Sequence, residues 1–147
     1  TDEDWSRVMR INLDGAFYAC RAAAPYLKKS GKNGRIINLS SQAALNGTAH
    51  GVHYGASKAA LLGLTYCLAK ELGPDGITVN AILPGRIDTE MLAYATPERR
   101  AQWLQSTPLG RFGDTADIAE LAVFLASDKG GYITGAKINV NGGLSTG

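Results

Sequence analysis

Hydrophobic positions along this chain alternate between two periods. Over its first 28 residues Trp5, Val8, Met9, Leu13, Ala16 and Phe17, with Asn12 among them, recur at helical spacing. The opening Thr1-Asp2-Glu3-Asp4 supplies a capping hydroxyl and acidic charge that complements a helix dipole. The pattern predicts a helix reaching Lys28, weakly interrupted by Gly15 and bent near its end by Pro25. A basic, glycine-containing loop follows. The run 35–40 (Arg-Ile-Ile-Asn-Leu-Ser) is then short and almost continuously apolar, as in a buried parallel strand. Small residues make 41–53 a loop, and 54–72 is a long helix rich in Ala and Leu. After the turn Gly73-Pro74-Asp75-Gly76, residues 77–83 form a second buried strand, stopped by Pro84-Gly85.

Residues 86–113 are less regular. A short helix begins after Thr96-Pro97-Glu98, where Thr caps and Pro takes the first helical position. Another runs from 114 to 126, capped by Asp114 or Thr115, with Ile118, Leu121, Ala122 and Leu125 on one face. The chain turns over 130–135 and enters a third strand at 137–140. Helices alternating with apolar strands define an α/β fold with a parallel sheet. Three strands make a thin sheet, and parallel sheets need both faces covered. The chain also opens directly at a helix cap. Part of the sheet is therefore expected to lie outside this polypeptide.

Composition narrows the class further. The 147 residues give room for one modest domain. A net charge of +2, with scattered Lys and Arg, argues against nucleic acid and anionic membranes as partners. No apolar stretch reaches the ~20 residues needed to span a bilayer, and 1–15 lacks a secretory layout. Cys20 and Cys67 sit inside helical patterns without metal-ligand spacing, so both are expected to be buried core residues in a reducing, cytoplasmic setting.

Tyr54 and Lys58 are four residues apart on one helix and so share a face. An ammonium beside a phenol favours the phenolate, which makes a proton donor or acceptor. Alone, such a pair is ordinary surface chemistry. Here Ser41 lies thirteen residues before Tyr54, just past the end of a parallel strand, and Pro84-Gly85 ends the neighbouring strand at the same rim. Ligands of open α/β sheets bind at that rim. Ser40 is a rival to Ser41. His50 and His53 precede Tyr54 and are expected to be surface or pocket lining. Met91, Leu92, Tyr94, Trp103 and Leu104 lie in the irregular stretch after Pro84-Gly85, which reads equally as an ordinary helical flap or as a mobile loop of the kind that forms lids. Arg99, Arg100 and Arg111 are expected to be solvated, and Lys28, Lys29 and Lys32 to form a basic patch near the site entrance.

The segments Ile11-Asn12-Leu13-Asp14-Gly15, 34–41, Tyr54-Gly55-Ala56-Ser57-Lys58, Ile77-Thr78-Val79-Asn80, 84–89, Tyr132-Ile133-Thr134-Gly135 and Val140-Asn141-Gly142-Gly143 occur in one order over nearly the whole chain. This set resembles the short-chain dehydrogenase/reductase family, and within it the 3-oxoacyl-acyl-carrier-protein reductase type. The resemblance implies a Rossmann-type, doubly wound parallel sheet of which the C-terminal part, about three strands, is present. It also implies an oxidoreductase moving hydride between NAD or NADP and a carbonyl or secondary alcohol. Tyr54 would be the general acid/base and Ser41 would hydrogen-bond the substrate oxygen. Lys58 would hold the nicotinamide ribose and support the Tyr54 phenolate. Asn12 would hold a water linking Lys58 to solvent. Pro84, Gly85, Ile87 and Thr89 would line the nicotinamide end, Ile87 through its backbone. No metal is implied. The substrate would be a 3-oxoacyl thioester, carried by acyl carrier protein or CoA, or a small ketone or polyol. The assembly would be a homodimer or homotetramer.

The family's Thr-Gly-x-x-x-Gly-x-Gly phosphate loop and its Asn-Asn-Ala-Gly element do not occur in the sequence. Residues 1–147 therefore read as the C-terminal catalytic half of one domain, with the half that holds the cofactor's adenosine end absent. The fragment alone is expected to be inactive. Asp75 stands where carrier-protein reductases often have an Arg, which weakens that substrate reading. The alternative is a non-catalytic fragment acting as a structural or oligomerisation module through its Ala-rich helices.

Overall fold

The computed structural model describes residues 1–31, 33–49 and 51–146, with Met91 described by its backbone alone. Among these residues a sheet of strands β1 (Arg35–Leu39), β2 (Thr78–Pro84) and β3 (Lys137–Val140) runs in the order β1-β2-β3, all parallel. The helices are α1 (Asp2–Met9), α2 (Gly15–Lys29), α3 (Ala43–Asn46), α4 (Val52–Leu72), α5 (Glu90–Ala93), α6 (Pro97–Gln105) and α7 (Thr115–Ala126).

The central strand organises the core. Thr78 through Leu83 are all buried, and Val79, Ala81, Ile82 and Leu83 are fully so. Side chains alternate across a strand. Ile77 and Val79 therefore share one face with Ile36, packed by Cys20 of α2 and by Ala69 and Leu72 of α4. Ala81 and Leu83 continue that face against Leu62. The opposite parity, Ile37, Asn80 and Ile82, meets the face covered by α7, whose Leu125 is fully buried. Helices on both faces are what a parallel sheet buried on both sides requires.

Hydrogen bonds between buried polar residues tie the elements together, as low-dielectric interiors favour. Asn38 donates to the Thr65 hydroxyl at 2.9 Å, tying β1 to α4. Asn80 donates to the Ile133 carbonyl at 2.7 Å and accepts from the Ala136 amide at 3.0 Å. That pair of bonds fixes the turn into β3.

The predicted first helix is interrupted. Between α1 and α2, Arg10–Asp14 form a π-helical segment, closed by the Gly15 amide on the Arg10 carbonyl. The helix then runs through Pro25 to Lys29. The predicted loop at 41–53 contains the one-turn helix α3, and α4 begins at Val52, two residues before Tyr54. Cys20 is buried as expected, but Cys67 is exposed on α4. Its helical position turns it away from the sheet, because the buried α4 residues are Ser57, Leu61, Leu62, Thr65, Ala69 and Leu72.

Candidate active site

The C-terminal ends of the strands are stitched into one rim. The Ser40 amide continues the ladder onto the Ile82 carbonyl at 2.9 Å, and the Gln42 amide donates to Pro84 at 3.0 Å. On the other side Gly85 donates to the Val140 carbonyl at 2.9 Å. There the backbones approach so closely that a Cβ on Gly85 would sit 2.6 Å from Asn141 Cα. Only glycine fits such an approach without moving the neighbour.

The first turns of α4 are fastened to this rim. Ser40 Oγ donates to the Lys58 carbonyl at 2.7 Å, and Lys58 Nζ donates to the Leu39 carbonyl, the last of β1, at 2.8 Å. Nζ also lies 5.8 Å from the centroid of the Tyr54 ring. Burial pulls the Lys58 ammonium below the ordinary lysine range. Among the described residues no carboxylate pairs with it, so its field is not neutralised locally. Tyr54 remains 37% exposed, open to a bound molecule.

Asn12 reaches the same turn from the π segment. Its Nδ2 donates to Ser57 Oγ at 3.0 Å, and that hydroxyl donates to the Tyr54 carbonyl at 2.8 Å. Single π turns inside α-helices recur at functional sites. Ser41 sits on the rim with its Oγ accepting from the Ala43 amide at 3.1 Å. Among the described residues no hydrogen bond joins Ser41 to Tyr54. The structure thus brings Asn12, Tyr54 and Lys58 together around one helix turn. Ser41 and Pro84 lie on the rim beside them.

Past Gly85, Ile87 forms an isolated parallel bridge with Gly113. The bonds run from Gly113 to Arg86 O (2.9 Å) and from Asp88 to Gly113 O (2.8 Å), leaving the amide of Ile87 itself facing away. Thr89 occupies the cap position of α5, and its hydroxyl lies 3.4 Å from the Ile87 carbonyl, a weak contact. A cavity of about 410 Å³ opens beside Ile87, lined also by Arg86, Leu109, Asn141 and Gly142. Of the rim residues it includes Ile87, and Tyr54 does not line it.

Other expectations are modified. Lys28 pairs with Asp75 at 2.8 Å, and both residues precede strands, at the end of the sheet opposite the rim. The basic patch therefore does not stand at the site entrance, and Lys32 lies outside the described residues. Arg100 bonds Asp88 and Arg111 bonds Asp117, so neither is merely solvated. His53 Nδ1 accepts from the Tyr54 amide at 2.7 Å. His50 and the Met91 side chain lie outside the described residues. Sequence reasoning missed Ser57, Asn46 and Arg86. Ser57 was visible only as the residue before Lys58. Asn46, which holds the Leu144 carbonyl at 2.9 Å, left no sequence signal.

A family model described as enoyl-(acyl carrier protein) reductase matches residues 1–145. The (3R)-3-hydroxyacyl-CoA dehydrogenase of Rattus norvegicus is 44% identical over 144 residues, covering 98% of this chain and 56% of that protein. The crystal structure of 3-oxoacyl-[acyl-carrier protein] reductase from Brucella melitensis superposes with a TM-score of 0.93 at 39% identity, covering 100% of this chain and 55% of that one. A dehydrogenase structure from Agrobacterium tumefaciens, solved with NADP bound, gives 0.93 at 38% identity, covering 98% and 59%. The chain belongs to the short-chain dehydrogenase/reductase family. It resembles the 3-oxoacyl-acyl-carrier-protein reductases within it, and its sheet is part of a Rossmann-type fold. It spans a little over half the length of the relatives it matches. Among the described residues no helix is long and apolar enough to cross a membrane.

Proposed function

We propose that this chain carries the proton-handling side of an NAD(P)-dependent oxidoreductase that interconverts a carbonyl and a secondary alcohol. The observation that carries this reading is Lys58. Its ammonium is held on the β1 carbonyl, without a carboxylate partner among the described residues, and set against the Tyr54 ring.

In this reading Tyr54 gives its phenolic proton to the substrate oxygen during reduction and takes it back during oxidation. Lys58 supports the phenolate by its charge. An ammonium has three donors. One goes to Leu39, leaving two for ribose hydroxyls. The Ser41 oxygen already accepts from Ala43, which leaves its proton free to donate to the substrate oxygen as charge develops there. Asn12 uses one side-chain N–H on Ser57, and its second N–H and its Oδ1 are the groups that would hold a proton-relay water.

The nicotinamide, when bound, supplies or accepts hydride at the substrate carbon. The residues present fit its nicotinamide end. The amide of Ile87, which faces away from the Gly113 bridge, and the hydroxyl of Thr89, only weakly held by the Ile87 carbonyl, suit a carboxamide, and Pro84-Gly85 form the adjoining floor. The adenosine half calls for residues outside 1–147, in keeping with a chain that is one half of a larger domain. Whether the cofactor is NAD or NADP rests on that same absent region.

The names of the relatives support a 3-oxoacyl or 3-hydroxyacyl thioester of CoA or acyl carrier protein as substrate, with a small ketone or polyol as the alternative. Exposed Phe17 and Tyr18 on α2 and Tyr66 on α4 favour a homo-oligomer, dimer or tetramer, formed through these helices. A module serving only such pairing is the second reading. Free cysteines fit a cytoplasmic setting.

The test completes the chain with the N-terminal part found in its relatives and assays NADH and NADPH against 3-oxoacyl thioesters and ketones. Turnover by the completed protein is expected. A well-folded completed protein with no turnover on any carbonyl contradicts the reading and leaves the oligomerisation module.

A further inference from the structure

Helix α6 is held to the molecule in an unusual way. None of its residues is buried. Trp103 and Leu104 are half-buried on one face, and two arginines fix the helix further. Arg100, on the helix itself, bonds Asp88 at 3.1 Å and the Leu92 carbonyl at 3.2 Å, and its guanidinium lies 4.7 Å from the Phe112 ring centroid. Asp88 is 60% exposed, so that pair is a weak surface contact.

Arg86 is different. It follows Gly85 directly, and its carbonyl is pinned by the Gly113 amide, so its backbone belongs to the rim. Its Nη1 donates to the Trp103 carbonyl at 2.9 Å and to Ser106 Oγ at 2.8 Å, with Thr107 Oγ1 farther off at 3.5 Å. Its guanidinium carbon lies 5.5 Å from the Trp103 ring centroid. The cation thus sits on a carbonyl in the last turn of α6, where the helix dipole favours positive charge. Burial also pulls the guanidinium below the ordinary arginine value.

We infer that Arg86 is a positioning residue that latches α6 to the strand-end rim. It thereby fixes the wall that the 89–107 flap presents to whatever binds there. A helix whose inner face is only half-buried, at Arg100, Trp103 and Leu104, has modest packing to hold it in place. The contacts of Arg86 from the rim then set where the helix stands. The consequence for substrate binding rests on the oxidoreductase reading. The latch itself does not.

The test uses a Trp5→Phe background, so that Trp103 is the sole tryptophan of the chain's two. Hydrogen exchange at amides 99–107 and acrylamide quenching of Trp103 are then compared between Arg86 and its variants. Arg86→Met is expected to speed exchange over 99–107 by about tenfold or more and to raise quenching, with β2 still protected. Arg86→Lys, whose ammonium can donate to the same acceptors, is expected to recover part of the protection. Arg100→Met is expected to do less than Arg86→Met. Wild-type exchange and quenching in Arg86→Met overturn the inference. Should Arg86→Met expose β2, Arg86→Lys decides: faster exchange confined to 99–107 supports the latch, and none overturns it. In the completed enzyme Arg86→Met is expected to raise KM by more than it lowers kcat. A lowered kcat with unchanged KM overturns the effect on substrate. Absence of turnover in every form defeats the oxidoreductase reading, while exchange still judges Arg86.

Discussion

At the scale of single residues, the site depends on a few close approaches that tolerate little change. Gly85 meets the Asn141 backbone where a Cβ has no room, and that backbone is held in turn by the Asn141 side chain on Ser145 and Gly143. Gly85→Ala is expected to destabilise the chain by about 1–3 kcal/mol through overpacking, read as a lower urea midpoint. An unchanged midpoint would show that the rim can yield. Some of this scale was legible in the sequence. Tyr54 and Lys58 share a helix face at a spacing anyone can count. The bond from Asn12 to Ser57 was not legible, because it spans 45 positions and needs a π turn that hydrophobic periodicity does not mark. Nor was Arg86, since a charged residue in an irregular stretch looks solvated until its acceptors are known. Cys67 shows the converse error: lying in a helical pattern does not say which face it occupies.

At the scale of elements, caps and turn residues were the most readable signals. Thr96 does cap α6, accepting from the Arg99 amide, and Asp114 does cap α7. The α7 start is a reciprocal box in which the Asp117 carboxylate accepts from the Asp114 amide at 2.8 Å and from Arg111 at 2.8 Å. The Arg111 guanidinium, with that amide, lowers Asp117 from 3.8 to about 2. A carboxylate lowered on folding stabilises the fold above its unfolded value, and that contribution is lost as pH falls through the folded one. The stability of the chain should therefore decline between pH 4 and pH 2, and Asp117→Asn should decline less over the same interval. Thermal midpoints measured at both ends of that range check this. Identical declines in the two proteins would remove Asp117 from the account. The sequence does not decide between lid and packing for the flap, because α6 has a cap but only a half-buried apolar pair, Trp103 and Leu104, too short to set a clear period.

At the scale of the whole molecule, three parallel strands with α2 and α4 on one face and α7 on the other reproduce the architecture that the alternation of periods predicted. The shared rim followed from it, because parallel strands must end together. The opposite placement of Lys28 did not, since its partner Asp75 is distant in sequence and the two meet only once the chain is folded. Under the proposed reading the adenosine end of the cofactor needs residues beyond this chain, so the chain by itself is expected to show no turnover with NADH or NADPH against 3-oxoacyl thioesters or ketones. Clear turnover by residues 1–147 alone would contradict that division of labour.

The central claim is that a phenol backed by an ammonium moves the proton at this rim. Its most direct measurement is kcat/KM of Tyr54→Phe in the completed enzyme, with circular dichroism confirming an unaltered fold. The account predicts a loss of about 10²-fold or more, the usual contribution of a general acid or base, and a large loss also for Lys58→Met. A Tyr54→Phe enzyme as fast as the parent would contradict it.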